Sequence, residues 1–590
     1  MSAKDRDQQM AEAEELLGDR LAVTSFAKGL FFGRFAQGQL AAYPNLEADP
    51  ATNRMVDELR RFCAEEIDPA AIDREADIPP RVIAGLGRLG VLGACLPKEH
   101  GGRGMSQASY CRLVEVLGGH DGSTALFVNA HHSIGPRAIV LFGTTEQKAK
   151  WLPKLATGEW ISAFALTESE AGSDAANVQS TARLSPDGKG YVLDGQKRWI
   201  TNGSIAQVLT VMARTPVLGA RETKITAFLV TPDMPGFEVV EARMPKCGVR
   251  GTATARLAFH DMFVPKENVL GQVGGGLRVA LTVLDFGRTT FGASCTGAAK
   301  FCLARAADHA KQRIQFGQPL AEFELVKEKI AVMAAGVYAM EAVTYQTAAL
   351  IDAGRSDYML ETAMLKVFST EVLWKTINDT IQIFGGKAYF TDEPYERMMR
   401  DARINMIGEG ANDVLRVFIA LVGMRDVGLE LKSVLEAAMH PLRNLGRLGG
   451  FAGRRLEALF SSPHVDVLSS ELEADAARLG RLVARFGGHV DRLLRQYQEA
   501  IVDRQYQLGR IADSAIELYV GTCVLRRLDW QLQSGKLAAP QRRATLDTAR
   551  YYLLSAERRI RRNLGDLWSN DDEQTTRLAD LVFGRSTRIE

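Results

Sequence analysis

Apolar residues recur at helical spacing from Ala51 to about Trp160, in segments such as Thr52–Glu66 and Pro80–Leu92, with Gly and Pro between them. The texture changes at Ile161. Short β-rich runs follow (GYVLDGQKRWI after the turn SPDGKG, then VLTVMA, ITAFLV, FEVVEA and ATARLAFHDMFV), separated by turn residues at strand-like spacing. That pattern predicts an antiparallel β domain ending near Gly274-Gly275-Gly276. Beyond it the chain reads as helical to its end. Val326, Ile330, Met333, Val337 and Met340 make one stripe, and Leu479, Leu482, Phe486, Val490, Leu493 and Tyr497 make another. No repeat of solenoid length interrupts this order. The predicted organisation is an N-terminal arm (1–48), a helical domain (49–160), a central β domain (161–275), a helical-bundle domain (276–425) and a further helical domain (426–590). The fold class is α+β. Helical layers flanking a β insert favour a ligand site in the cleft between them.

Composition narrows the function. The 590 residues are 46% hydrophobic and 24% charged, enough for large cores. Lys+Arg number 72 against Asp+Glu 71, a net charge of +1, which argues against nucleic acid as a partner and for a small molecule or a protein. The seven cysteines, at 63, 95, 111, 247, 295, 302 and 523, form no CxxC pair and no metal-type spacing. An odd, scattered set suggests free thiols in a reducing compartment. No apolar stretch approaches the roughly 20 residues of a membrane span. The acidic, amphipathic N-terminus is neither a signal nor a transit peptide, so a cytoplasmic enzyme is expected. His131 and His132 are adjacent in NAHHSIG, which does not place two ligands on one helix face, and no metal is expected.

Four stretches carry candidate chemistry. FALTESEAGSDAANV (Phe164–Val178) gathers Thr167, Ser173 and Asp174 among small residues, where backbone could approach a polar ring system; a polar loop is the plainer reading. WITNG (Trp199–Gly203) sets an indole and the Thr201 hydroxyl two residues apart, on one face of a strand end, as a flat conjugated cofactor would need; a core Trp beside a turn also fits. RIQFG (Arg313–Gly317) and QIFGGKAYF (Gln382–Phe390) offer an Arg for a pyrophosphate and a Gly pair for close approach, or a surface ion pair and a helix C-cap. MIGEGANDVLRVFIAL (Met406–Leu421) puts Glu409 between two glycines in an apolar neighbourhood just before a helix. Desolvation would raise its pKa and make it a base near neutral pH; the alternative is a Glu complementing a helix dipole.

These motifs, in this order, resemble the acyl-CoA dehydrogenase family, most closely its very-long-chain branch. The similarity extends over nearly the whole chain through SFAKGLFFGRF, LVEVLGGHDGS, LFGTTEQKAKWLPKLATGEW and VDRQYQLGRIADSAIELYV. The resemblance implies an N-terminal helical domain, a central β domain, a four-helix bundle and an additional C-terminal helical domain, assembled as a homodimer with FAD as cofactor. It implies that Phe164, Leu166, Thr167 and Ser173 contact FAD, with Trp199, Ile200 and Thr201 beside its ring and Ala411 and Asp413 nearby. Arg313, Phe316, Gln382 and Gly386 would come from the neighbouring subunit to hold the adenine half. Ser173, Asp285, Arg288 and Gly410 match positions that contact acyl-CoA, and Glu409 matches the base.

The reaction implied is α,β-dehydrogenation of a long-chain acyl-CoA to trans-2-enoyl-CoA in fatty acid β-oxidation. Glu409 would take the α-proton, hydride would leave the β-carbon, and electrons would go to an electron-transferring flavoprotein. The same resemblance leaves open an acyl-CoA oxidase or an assembly protein of the same fold. The chain departs from the family at Ala411, where a Thr hydroxyl is usual, at Ser169, where Pro is usual, and across PKCGVRGTATA. Leu442–Phe460 interleaves Arg443, Arg447, Arg454 and Arg455 with Leu and Phe, which predicts either peripheral contact with the inner face of a membrane or a solvated loop.

Overall fold

The structure, a computed structural model, describes residues 24–217, 223–439 and 463–585. The basic stretch 442–460 and the acidic N-terminus lie outside the described residues. Two compact units divide the chain. The first contains Ala41–Arg355 and Leu365–Asn412; the second contains the described parts of Arg20–Leu40, Ser356–Met364 and Asp413–Glu590.

The first unit opens with helices whose starts are written in the sequence. Asp49 accepts from the Ala51 and Thr52 amides ahead of Pro50–Glu66, Ser106 from the Ser109 amide ahead of Gln107–His120, and Asp121 from the Thr124 amide ahead of Gly122–Val128. The helical path then widens into a π turn over Asn129–Ile134 before resuming as Gly135–Phe142. Thr144 and Gln147 form a capping box on Thr145–Thr157, and the Gln147 amide also donates to the Glu267 and Val269 carbonyls, tying this helix to the sheet.

Eight strands follow: β1 Ser162–Ala165, β2 Thr181–Leu184, β3 Gly190–Ile200, β4 Val208–Thr215, β5 Lys224–Val230, β6 Phe237–Glu241, β7 Ala255–Pro265 and β8 Val269–Leu270. Their order is β6-β7-β3-β2-β4-β5-β8, with β1 also on β4. The sheet is mostly antiparallel, as the hairpin spacing predicts, but β1 and β2 both pair with β4 in parallel. The two lie in succession along one edge of β4. The Phe164–Val178 motif is therefore largely the excursion the chain makes between two strands sharing a partner.

The long helix Gly276–Gln312 crosses Gln107–His120 at backbone distance. A Cβ at Gly118 would stand 2.3 Å from the Ser294 carbonyl oxygen, and one at Gly297 would stand 1.9 Å from that of Glu115, so only glycine fits at either place. Glu324–Asp352, the part of Met359–Phe384 from Leu365 onward, and Tyr395–Asn405 complete the unit.

In the second unit Phe26–Phe31 is a buried helix. Phe31 meets Phe486 edge-on at 5.2 Å, and Phe26 lies 6.1 Å from Tyr519. Residues Thr24 to Leu40 of the predicted arm thus belong to this unit, with Ser25–Phe31 buried in its core. Glu473–Tyr497 buries the predicted stripe from Leu479 to Leu493, and packs with Gln505–Gln533 and Ala539–Asp566. None of the described helices is long and apolar enough to cross a membrane.

Candidate active site

Glu409 sits in the turn that follows Tyr395–Asn405, with φ +55°, and Gly410 follows at φ +97°. A left-handed glutamate costs about 1–3 kcal/mol and persists only where surrounding bonds fix it. Here they do. Arg288 donates to the Glu409 carbonyl at 3.3 Å, and Lys366 donates to the Gly410 carbonyl at 2.7 Å and to Asn412 Oδ1 at 2.9 Å. Asn412 in turn donates to Thr370 and Glu371. The glutamate side chain lies over Gly287, close enough that a Cβ there would stand 2.4 Å from Oε2.

Oε1 accepts from Asn129 Nδ2 at 2.9 Å, whereas Oε2 is buried with no hydrogen-bond partner among the described residues. Burial pushes the carboxyl up to about 7, against the pull of Arg288, Lys366 and the Asn129 hydrogen bond. Burial likewise brings the Lys366 ammonium down to about 8. The Glu409 N–H has no acceptor among the described residues. A half-neutral carboxyl with one free, dry oxygen can take a proton from a weak carbon acid, and the amide beside it can donate to a developing oxyanion. Asn129 and Thr290 also line a narrow cavity of about 50 Å³ that runs on past Gly118, Gly122, Ala125 and Ala298.

The other predicted residues fall into three groups. Asp285 and Arg288 lie near the base: both are buried, and they pair with each other at 3.1 Å. Gly410 and Ala411 continue the Glu409 turn. Asp413, assigned to the second unit, exposes its side chain and pairs with Arg416.

Phe164, Leu166, Thr167, Trp199, Ile200 and Thr201 form a second group. Phe164 and Leu166 pack on a cluster containing Val279, Ala280 and Val283, one helical turn before Gly287. The Arg198 amide donates to the Thr167 carbonyl at 3.0 Å, so the two motifs are laced together. Ile200 is core. Trp199 is 50% exposed at φ +59°, in a register shift of β3 against β7 between Lys197 and Ile200. The two-residue rule that places Trp199 and Thr201 on one strand face therefore fails. Left-handed backbone at Trp199 breaks the alternation, and Thr201 already lies in the turn beyond β3. Asn202, also left-handed, donates to the Phe127 carbonyl at 3.2 Å, two residues before Asn129. Ser173 is exposed in the excursion between β1 and β2.

Arg313, Phe316, Gln382 and Gly386 form the third group, all exposed at the far ends of two helices whose neighbouring residues Ala310 and Ile383 share a core. From Arg288 to Gln312 the helix rises roughly 36 Å, so this group does not join Glu409 within one chain.

Sequence reasoning missed four residues. Asn129 and Lys366 are described above. Glu168 and Lys197 form a buried pair at 2.6 Å; Lys197 also donates to the Leu166 carbonyl at 3.0 Å, while Glu168 accepts from the Gln179 and Ser180 amides. The pair staples both ends of the excursion to β3. A lysine within the apolar helical run MLKVF was the available signal for Lys366.

His131 and His132 are buried, and both ring nitrogens of each are taken up by the backbone. Each ring donates one nitrogen to a carbonyl, of Leu155 and Leu92, and accepts on the other from the amides of Ser162 and Cys95. Among the described residues no group of His, Cys, Asp and Glu could hold a metal.

A buried carboxyl with one unpartnered oxygen and a raised pKa suits proton abstraction from a carbon acid. Comparison with known proteins identifies the family. Family descriptions match in succession: the acyl-CoA dehydrogenase N-terminal domain over 49–159, its middle domain over 163–262, its C-terminal domain over 274–423, and the ACAD9/ACADV C-terminal domain over 470–583. The human mitochondrial very long-chain specific acyl-CoA dehydrogenase is 39% identical over 93% of this chain and 85% of its own length. A probable acyl-CoA dehydrogenase of Mycobacterium tuberculosis is 35% identical over 99% and 92%. Among solved structures, an acyl-CoA dehydrogenase from Bacillus anthracis complexed with FAD superimposes with a TM-score of 0.78 at 29% identity, covering 96% of this chain and 97% of that one. The chain belongs to the acyl-CoA dehydrogenase family.

Proposed function

We propose that the protein dehydrogenates long-chain acyl-CoA thioesters at Cα–Cβ, giving trans-2-enoyl-CoA for fatty acid β-oxidation. The observation that carries this is the unpartnered, buried Oε2 of Glu409, on a carboxyl brought to about 7, beside a cavity lined by Gly118, Gly122, Ala125 and Ala298. Leu126, Val249, Phe291, Leu373, Ile377 and Met398 also line that cavity, which suits an apolar chain, while Ser294, Asp401 and Asn405 add polar atoms to its wall.

FAD fits the residues present. The half-exposed indole of Trp199 follows directly on Lys197 and Arg198, which pin the backbone of Leu166 and Thr167, so an aromatic plate and that backbone lie together for a flat ring system. Open backbone at Gly385 and Gly386, where an added Cβ meets nothing within 4 Å, leaves room for close approach at the other group. When bound, the flavin supplies the hydride acceptor. The chain does the rest. Glu409 removes the α-proton and keeps it on Oε2. Its N–H donates to the thioester oxygen. Arg288 and Lys366 hold the turn so that both groups face one substrate, and the buried surroundings keep water away.

Two copies complete each site in this reading. The support is the roughly 36 Å along Gly276–Gln312 between Arg288 and the Arg313 group, a separation that suits Arg313, Phe316, Gln382 and Gly386 serving the cofactor of a second protomer. The apolar surface beside them agrees: Phe316 is 95% exposed, with Tyr389 and Phe390 also out in solvent. An electron-transferring flavoprotein is the acceptor in this reading. The free cysteines suit a reducing compartment such as the cytoplasm. The arginines of 442–460, interleaved with Leu and Phe, would serve peripheral membrane contact in the same reading.

The test is an anaerobic visible spectrum before and after a sixteen-carbon acyl-CoA. The yellow absorbance is expected to bleach in the native protein, and bleaching is expected to slow by about 10²–10⁴-fold in Glu409→Gln at unchanged flavin content. Rapid bleaching in that variant would refute Glu409 as base.

A further inference from the structure

Behind Glu409 lies a run of buried hydroxyls and an amide that the reaction does not itself require. Asn129 Nδ2 lies 2.9 Å from Glu409 Oε1; Thr290 Oγ1 bonds Asn129 Oδ1; Ser133 Oγ lies 3.2 Å from Thr290 Oγ1; and the Tyr110 hydroxyl lies 3.4 Å from Ser133 Oγ. All four partners are buried. Asn129 and Ser133 come from the two ends of one π turn, which presents both to Thr290 on Gly276–Gln312. Single π turns of this kind recur where a helix must aim side chains at a site.

The chemistry of the atoms fixes the direction of every bond. An ionised carboxylate only accepts, so the Asn129 –NH₂ must face Glu409 and its carbonyl oxygen must face Thr290. That oxygen also only accepts, so Thr290 donates to it. The Gly287 and Phe286 carbonyls, 2.9 and 3.3 Å from Thr290 Oγ1, compete for the same proton, but the Asn129 oxygen has no other donor among the described residues. With its proton committed, Thr290 accepts from Ser133, and Ser133 accepts from Tyr110. Four donors thus point one way and end on one oxygen of the base. Hydrogen bonds aligned in series in a low-dielectric interior polarise one another, and their terminus is where negative charge is best tolerated.

We infer that Asn129, oriented by Thr290, is a positioning residue that holds Glu409 Oε1, keeps the carboxyl ionised in its buried site and leaves Oε2 as the oxygen that takes the proton. The inference rests on Glu409 being the base. The charged groups facing Glu409 are Arg288 from Gly276–Gln312, itself neutralised by Asp285, and Lys366 from Met359–Phe384, which Glu371 also faces. The arginine and lysine are committed to the Glu409 and Gly410 carbonyls, so neither holds Oε1. Asn129 is the one side chain among the described residues that donates to the carboxyl itself.

The sign of the effect follows. A donor to the ionised form lowers a carboxyl's pKa, and losing it raises that pKa. The base works ionised, so the acid limb of kcat/KM must move to higher pH. In flavin-loaded Asn129→Ala the limb is expected to rise by about one pH unit, a roughly tenfold loss of kcat/KM on the acid side. The loss should fade as pH rises past the new midpoint. Thr290→Val, which keeps shape and loses the donor, is expected to move the limb the same way, and Thr290→Ser to restore it.

An unmoved limb in Asn129→Ala, or a loss equal at every pH, at native flavin content and Tm, would overturn the inference. Glu409→Gln separates the two ideas. If that variant is inactive and Asn129→Ala is unshifted, only the positioning role fails; if Glu409→Gln stays active, the base assignment fails first.

Discussion

Gly287 has no side chain because Glu409 occupies the space one would take. A Cβ built there lies 2.4 Å from Glu409 Oε2 and 2.9 Å from both Cδ and Oε1, where ordinary contact begins near 3.4 Å. Gly287→Ala therefore drives the carboxyl back by about 1 Å, and the direction is away from the helix over which it lies. Glu409 cannot yield by moving its backbone, since Arg288 and Lys366 grip the turn on both sides. It cannot swing freely either, because Oε1 is held by Asn129. A 1 Å misplacement of a reacting group costs on the order of 10²-fold, or about 2.7 kcal/mol of barrier.

Stability should move the other way. Position 287 is in the interior of a 37-residue helix, where alanine is favoured over glycine by about 1 kcal/mol. The variant is thus expected to keep its flavin, hold or slightly raise its Tm, and reduce the flavin about 100-fold more slowly in anaerobic stopped flow. A double-mutant cycle sharpens the test. Glu409→Asp withdraws the carboxyl by about one bond, so Gly287→Ala should cost much less on that background than on the native one. Flavin reduction in Gly287→Ala within about threefold of the native rate would refute the reasoning, because the steric account leaves no room for so small an effect.

Two further outcomes follow from the same contacts. The acid limb of kcat/KM in the native protein is expected near pH 7, the value to which burial brings Glu409, with activity falling about tenfold per unit below it; a limb near 4.5 would show that the carboxyl is solvated in solution. Lys197→Met strands a buried Glu168 and is expected to lower stability by about 3–5 kcal/mol, which denaturant unfolding would measure. Glu168 titrates below its ordinary value in the fold, so its contribution is present above the ordinary carboxyl range and disappears as pH falls through the depressed value. The gap between native and variant should therefore narrow in acid. A gap that persists there would mean that the pair acts through packing alone.

What could be read from the sequence was what depends on neighbours in the chain. Helix starts at Asp49, Ser106 and Thr144 are local chemistry, and the glutamate between two glycines marks a turn, although its φ of +55° is held by Arg288 and Lys366 from distant elements. Strand positions followed from β-rich runs between turn residues, whereas the two-residue period that sets Trp199 and Thr201 on one face is broken by the left-handed backbone at Trp199. The parallel pairing of β1 and β2 with β4 could not be read, because hairpin spacing reports only on consecutive strands. The arm reading treated Phe26–Phe31 by its position near a terminus, whereas its place in a core depends on Phe486 and Tyr519, more than 450 residues away.

The least legible feature is the one that sets the base. Asn129 and Glu409 are 280 positions apart, and Thr290, which orients the amide, is a further element again. Each is unremarkable where it stands: a polar residue in a helical stretch, a threonine in a long helix. Neither has a reason of its own to be there, since both are buried and each would cost stability without its partner. A buried polar residue with no local partner is thus a statement that a distant one exists, though not which one. Here the structure makes the choice, because an amide whose carbonyl oxygen accepts from a hydroxyl turns its N–H donors toward another acceptor. In this neighbourhood the carboxylate of Glu409 is that group, and the polarity of the whole run, from Tyr110 to the base, follows from its inability to donate.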